Sequence, residues 1–167
     1  MTDLPHPPDP SDLPGVPALR TAPVEGDAML EQWRLVHNAV VPPAAMSPAQ
    51  ARVRRERYLL DNAYAGDVLV GCSTVRPPVG EERVATVIAR VLPEFRRRGF
   101  GSVIYGNALD RARSLGAGVV ETCVLAANED GLRFALRRGF AEVERYVLDG
   151  ERDEWVDLRL LVTERGD

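Results

Sequence analysis

The chain has 167 residues, 45% of them apolar and 28% charged, with a formal net charge of -4. That is one domain's worth of chain with material for a real core, and it lacks the basic excess of a general nucleic-acid binder, so no nucleic-acid partner is expected. No apolar run reaches the ~18 residues of a membrane-spanning helix, and Met1–Pro23 has no apolar h-region of a secretory signal.

Two cysteines, Cys72 and Cys123, make neither a disulfide framework nor a zinc spacing. No metal site and no membrane association are expected, and the expected compartment is the cytoplasm.

Seven of the 13 prolines lie in Met1–Pro23. Proline removes backbone donors and fixes φ, so residues 1–15 read as a disordered or extended tail and residues 16–167 as a single domain. A short strand is predicted at Leu19–Ala22. From Asp27 to Val40 the apolar residues Met29, Leu30, Trp33, Val36 and Val40 recur at helical spacing, and Pro42-Pro43 ends that helix. Ser47-Pro48 is a helix entry, a cap followed by proline in the first turn. It opens a second, basic helix to Arg57 or Leu60, with Arg52–Arg57 expected on an exposed face.

Strands follow. Ala65-Gly66-Asp67 reads as a hairpin turn between strands at Asn62–Tyr64 and Val68–Val75. Pro77–Gly80 is expected to be a connection, and Arg83–Leu92 a central strand buried on both faces. After Gly101 the period turns helical through Ile104, Ala108, Ala112 and Leu115, closed by Gly116. A strand at Val119–Leu125, a helix at Asn128–Arg138 ended by Gly139, and strands at Phe140–Leu148 and Glu154–Val162 complete the order.

The stretch Val91-Leu92-Pro93-Glu94-Phe95-Arg96-Arg97-Arg98-Gly99-Phe100-Gly101-Ser102 carries the chemistry. A buried strand ends at proline, and a basic glycine-containing turn opens a helix. Such a turn gathers backbone N–H groups at the positive end of a helix dipole, and glycine lets an anion approach the backbone. A phosphate or pyrophosphate site is predicted. The Walker A pattern is excluded for want of its Lys-Ser/Thr pair, and the dinucleotide fingerprint because Ile104 stands where its third glycine belongs.

These residues resemble the GCN5-related N-acetyltransferase family. Arg96, Gly99 and Gly101 match its Arg/Gln-x-x-Gly-x-Gly/Ala signature after a strand ending Val-x-Pro. Asn128, Phe134, Gly139 and Phe140 match its Asn-to-Gly-Phe segment, and the element order agrees from Leu19 to Val162. The resemblance implies an α/β (α+β) fold: a mixed, mostly antiparallel sheet with about four helices, splayed between the fourth and fifth strands. It implies acetyl-CoA as co-substrate, with amides from Arg97 to Ser102 on the pyrophosphate, Arg96 and Asn128 at the same site, and Val91 and Leu92 pairing with the pantetheine arm. The thioester carbonyl would meet a strand amide as an oxyanion-type donor, and an amine would attack directly. The acceptor would be a primary amine of a small molecule or peptide, and a homodimer is consistent with the family.

One position departs from that pattern. Family members usually carry a tyrosine directly after the Phe134 position, as proton donor to the thiolate, and here it is Ala135. Tyr146 is the candidate substitute. Glu82, at the mouth of the central strand, is preferred to Glu121 as the base. Ala135 also supports an alternative, a module that binds or senses acyl-CoA with little turnover. Asn128 could equally serve as a helix cap. His37 beside Trp33 is expected to pack, and Cys123 to lie in the core.

Overall fold

The computed structural model describes residues 18–161, so the proline-rich tail and Val162 lie outside the described residues. Strand β1 (Leu19–Pro23) leads into α1 (Gly26–Val40) and α2 (Pro48–Arg57), with a 3₁₀ turn at Pro42–Ala44 between them. A meander follows: β2 (Leu59–Ala65), β3 (Val68–Val79) and β4 (Val84–Val91). Then come α3 (Phe100–Ser114), β5 (Val119–Leu125), α4 (Glu129–Arg137), β6 (Phe140–Val147) and β7 (Glu154–Leu160).

All seven strands form one sheet in the order β1-β2-β3-β4-β5-β7-β6. Only β4 and β5 run parallel, and their pairing stops after three residue pairs, Val84–Val119, Ala85–Val120 and Thr86–Glu121. Beyond Thr86 the two strands diverge. The sheet is thus a four-stranded and a three-stranded half joined by a short seam.

Local chemistry accounts for most boundaries. Ser47 and Gln50 make a reciprocal capping box at the start of α2, with bonds of 3.2 and 2.8 Å. Gly116, with φ of 87°, follows the last turn of α3 in the left-handed conformation that glycine adopts freely.

Three strand expectations need correction. β2 begins at Leu59, three residues before the predicted Asn62. β3 continues through Pro77-Pro78, which were expected to form a connection. The β3–β4 register slips by one residue between Arg76 and Val79, so the prolines sit at a bulge where their missing N–H groups break no regular ladder. β7 ends at Leu160.

Alternation along the strands divides side chains between two cores. On one face, Val75, Ala85, Val87, Val120, Val156 and Leu158 pack against Tyr105, Ala108 and Ala112 of α3 and Ala135 of α4. On the other, Leu60 and Cys72 meet Leu30, Trp33 and Val36 of α1 and Ala51 of α2. Arg111 on α3 makes an ion pair with Asp61 on β2, tying helix to sheet. Among the described residues no helix is long and apolar enough to cross a membrane.

Candidate active site

The divergence of β4 from β5 opens a cavity of about 1680 Å³. It runs from the start of α3, past the seam, to α1 and α2 on the opposite face of the sheet, touching Ser102 at one end and Trp33 at the other.

At the α3 end, a 3₁₀ turn at Pro93–Phe95 leads into Arg96–Gly99. Arg97 and Gly99 both have positive φ, 64° and 80°, which turns the chain sharply into the helix. Among the described residues, the amides of Arg97, Arg98 and Gly99 have no backbone acceptor, and the first amides of α3 are free as at any helix start. This cradle fits an anionic group at a helix N-terminus. A Cβ added to Gly101 would make only ordinary contacts, 3.5 Å from the Phe134 ring and 3.6 Å from Val91, so alanine would fit here as well.

The arginines there differ in role. The Arg96 Nε donates to the Val91 carbonyl at 3.1 Å, and its guanidinium lies 3.8 Å from Asp130, so Arg96 braces the turn against the strand end. Arg97 and Arg98 are exposed at the rim. Arg138 was not anticipated from the sequence. It donates to the Ser102 hydroxyl and lies over the Phe134 ring at 5.0 Å, bringing a further cation to the start of α3. Asn128 caps α4, its Oδ1 accepting from the Gly131 amide at 3.0 Å, and it also lines the cavity.

On β4, the Leu92 amide donates to the Val70 carbonyl at 2.9 Å, so Leu92 is turned toward β3 and away from the gap. Strand alternation then points the amides and carbonyls of Ala89 and Val91 toward the missing part of the β5 ladder. Of the predicted pair Val91 and Leu92, Val91 faces the gap, and Ala89 takes the place of Leu92.

Across the seam, Tyr146 on β6 and Asp157 on β7 line the cavity, and the Tyr146 hydroxyl donates to Asp157 Oδ1 at 3.0 Å. Burial raises the Asp157 carboxyl above its ordinary value; the Tyr146 bond opposes this, and the Glu121 and Glu144 charges add to it. Burial, then the Asp157 bond, also raises the Tyr146 hydroxyl well above its usual value, so it keeps its proton. Asp157 was missed in the sequence because nothing local distinguishes it from other strand carboxylates.

Glu82 does not join this group. It lies in the exposed turn before β4, at the closed end of the seam, 3.7 Å from Arg159, and does not line the cavity. Glu121 does line it, but is held by Arg159 at 2.8 Å. Cys123, expected in the core, is half-buried on the cavity wall. His37 is stacked on Trp33 with ring centroids 5.4 Å apart. Burial, then the nearby Arg90 charge, lowers its pKa to about 4, so it is neutral at pH 7.

A sheet opened between parallel strands beside an amide cradle defines an acyl-CoA-type transferase fold, and the family comparison agrees. Residues 26–140 match the acetyltransferase (GNAT) family model, and the chain belongs to that family. Solved structures share the fold. The ribosomal-protein-S18-alanine N-acetyltransferase of Escherichia coli is 17% identical over 90% of this chain and 99% of its own, with a TM-score of 0.69. The yncA protein of Salmonella typhimurium, solved with its cofactor acetyl-CoA, is 15% identical over 90% and 97%, with a TM-score of 0.67. NAA60 of Arabidopsis thaliana, solved with a bisubstrate analogue, is 15% identical over 85% and 97%, with a TM-score of 0.69. A search of curated proteins returned no match.

Proposed function

We propose that this protein moves an acetyl group from acetyl-CoA to the primary amine of a small molecule or peptide by direct transfer. The observation that carries the reading is the end of β4–β5 pairing at Thr86–Glu121 beside the unpaired amides of Arg97–Gly99. A gap lined by strand amides suits an extended amide-bearing arm, and the cradle suits a pyrophosphate. Arg138 and the rim arginines would add charge there.

In the chemical step, the neutral amine nitrogen attacks the thioester carbonyl, the new C–N bond forms and the C–S bond breaks. Asp157, whose pKa is raised by burial, is positioned to take the proton from the amine, directly or through one water. Tyr146 keeps its proton and can supply one to the departing thiolate. An amide N–H of β4 facing the gap would stabilise the developing oxyanion. The two free cysteines are consistent with a reducing compartment, the cytoplasm.

Ala135 favours a second reading. It is buried in the α3–α4 core and offers no hydroxyl, so a module that binds acyl-CoA with little turnover is the alternative. Release of free CoA thiol from acetyl-CoA, measured against a panel of primary amines, decides between them. Amine-dependent release above blank hydrolysis supports the enzyme. Binding without amine-dependent release supports the module.

A further inference from the structure

The part of the cavity enclosed by α1, α2 and β3 holds three buried or half-buried guanidinium groups, with the exposed Arg57 of α2 also lining it. Arg90 on β4 is 8% exposed. Its Nη1 donates to Thr74 Oγ1 at 3.1 Å and approaches Cys72 Sγ at 3.9 Å, while its Nε is buried with no partner among the described residues. The Nε of Arg76 on β3 is likewise buried with no partner among these residues. Arg54, half-buried on α2, and Arg76 both lie over the Tyr58 ring, at 5.6 and 5.2 Å from its centroid. All three line the cavity. Among the described residues, none of the three is ion-paired with a carboxylate.

Arginine cannot shed its charge in a protein. Three neighbouring cations, one of them buried, therefore repel one another and leave donors unmade. Burial and the Arg76 and Arg90 charges push Arg54 below its ordinary value, which reports the same crowding. His37 is neutral and adds no fourth cation. The carboxylates on the cavity wall belong to other partners or positions: Glu121 to Arg159, Asp130 to Arg96 and Arg133, Asp157 to Tyr146 although the Arg76 charge reaches it, and Glu151 to the exposed turn before β7. The cavity is thus polarised, with an arginine pole against α1 and α2 and an Asp157 pole at β7.

We propose that the acceptor is a small amine that also carries an acid group, of the amino-acid or aminophosphonate type. Arg54, Arg76 and Arg90 hold the acid, and the amine faces Asp157. The inference rests on the N-acetyltransferase reading and narrows its acceptor. The acid takes no part in the bond changes. It binds to the guanidiniums by charge-assisted hydrogen bonds, for which arginine's planar fork is suited, and so aims the amine toward the β4–β5 gap.

The test is thermal unfolding of the full chain in two stages. The first adds CoA alone and reports on the parent reading, since a missing shift counts against the cofactor site itself. The second adds, at saturating CoA, the N-acetyl derivatives of the common amino acids, their amides, and N-acetyl aminophosphonates. The expected result is a further rise of about 2 °C or more for at least one acid, with none for its amide. Arg76→Gln and Arg54→Gln should lose that second rise and retain the CoA shift. Arg90→Gln should do the same, and the two less buried variants carry the test if it does not fold.

Carboxylate and phosphonate arms identify which acid is bound. Equal shifts for acids and amides, no second rise with any acid, or a rise that survives the arginine substitutions would overturn the proposal. The last result would leave Arg54 and Arg76 as packing for Tyr58, and Arg90 as packing for the Trp33 ring, whose centroid is 5.8 Å from it.

Discussion

The hydroxyl of Tyr146 and the carboxylate of Asp157 meet at 3.0 Å although they are not register partners, since Asp157 pairs with Glu144 and Tyr146 with Trp155. The contact is diagonal across two strands and sits on the cavity wall. It places a raised-pKa acceptor and a protonated hydroxyl side by side.

Asp157→Asn should therefore lower kcat by roughly 100-fold or more, the usual worth of a positioned base, while the shift in unfolding temperature with acetyl-CoA persists. Tyr146→Phe should cost less. The acid limb of the kcat profile should lie above the value of an ordinary aspartate, because Asp157 must be deprotonated to act and its pKa is raised. A limb unchanged in Asp157→Asn would remove this residue from the chemistry.

Gly99 supplies the second expectation. At 100 times its dissociation constant, acetyl-CoA should stabilise the wild-type chain by about 2.7 kcal/mol. Gly99→Glu puts a carboxylate at the cradle and a side chain at φ 80°, so it should lose that gain. Gly99→Asn tolerates the left-handed conformation and should keep much of it. Calorimetric unfolding of the three proteins distinguishes charge from backbone strain.

Gly71 marks a close approach between β3 and the end of β4. A Cβ there would stand 2.4 Å from the Arg90 carbonyl and 2.8 Å from Ile104 Cδ1, so Gly71→Ala must push β4 or α3 aside. The expected cost is about 1–3 kcal/mol in urea unfolding, together with weaker acetyl-CoA binding, since the displaced strand borders the gap. Weakened stability with unchanged binding would show that the gap tolerates the shift.

His37 governs an acid-range effect. Its folded pKa of about 4 lies below the ordinary 6.5, so on acidification the unfolded chain takes up the proton first. The stabilising contribution is present above pH 6.5 and is lost as the pH falls toward 4, by at most about 3 kcal/mol. His37→Phe keeps a ring against Trp33 and removes the titration. Its stability should fall less steeply over that interval, as urea midpoints at several pH values would show.

Legibility in the sequence followed the range of the interaction responsible. Ser47-Pro48, Gly116 and the Asn128 cap act within one turn, and the elements they bound were found at or near their predicted ends. Pro77–Val79 was misread because proline normally ends a strand, and only the slip against β4 shows why it does not here. At the site, the basic turn opening a helix was readable because Arg96–Ser102 is contiguous. Tyr146 was named from the sequence but its partner was not, because β7 inserts between β5 and β6 and brings Asp157 to Tyr146 from another strand. Arg54 was read as exposed for a similar reason: its helix face is defined by Tyr58 and Arg76, which helical periodicity does not report.

The seam between β4 and β5 has a mechanical consequence. Two half-sheets held by three residue pairs can flex against each other about Thr86 and Glu121, resisted by the packing of α3 and α4 beneath and by the Arg159–Glu82 ion pair at the closed end of the seam. A ligand laid along the open edge would act as a splint, supplying the cross-strand bonds the ladder lacks. Amides at Ala89 and Val91 should then exchange with solvent more slowly, so rigidity of the sheet itself becomes a record of occupancy.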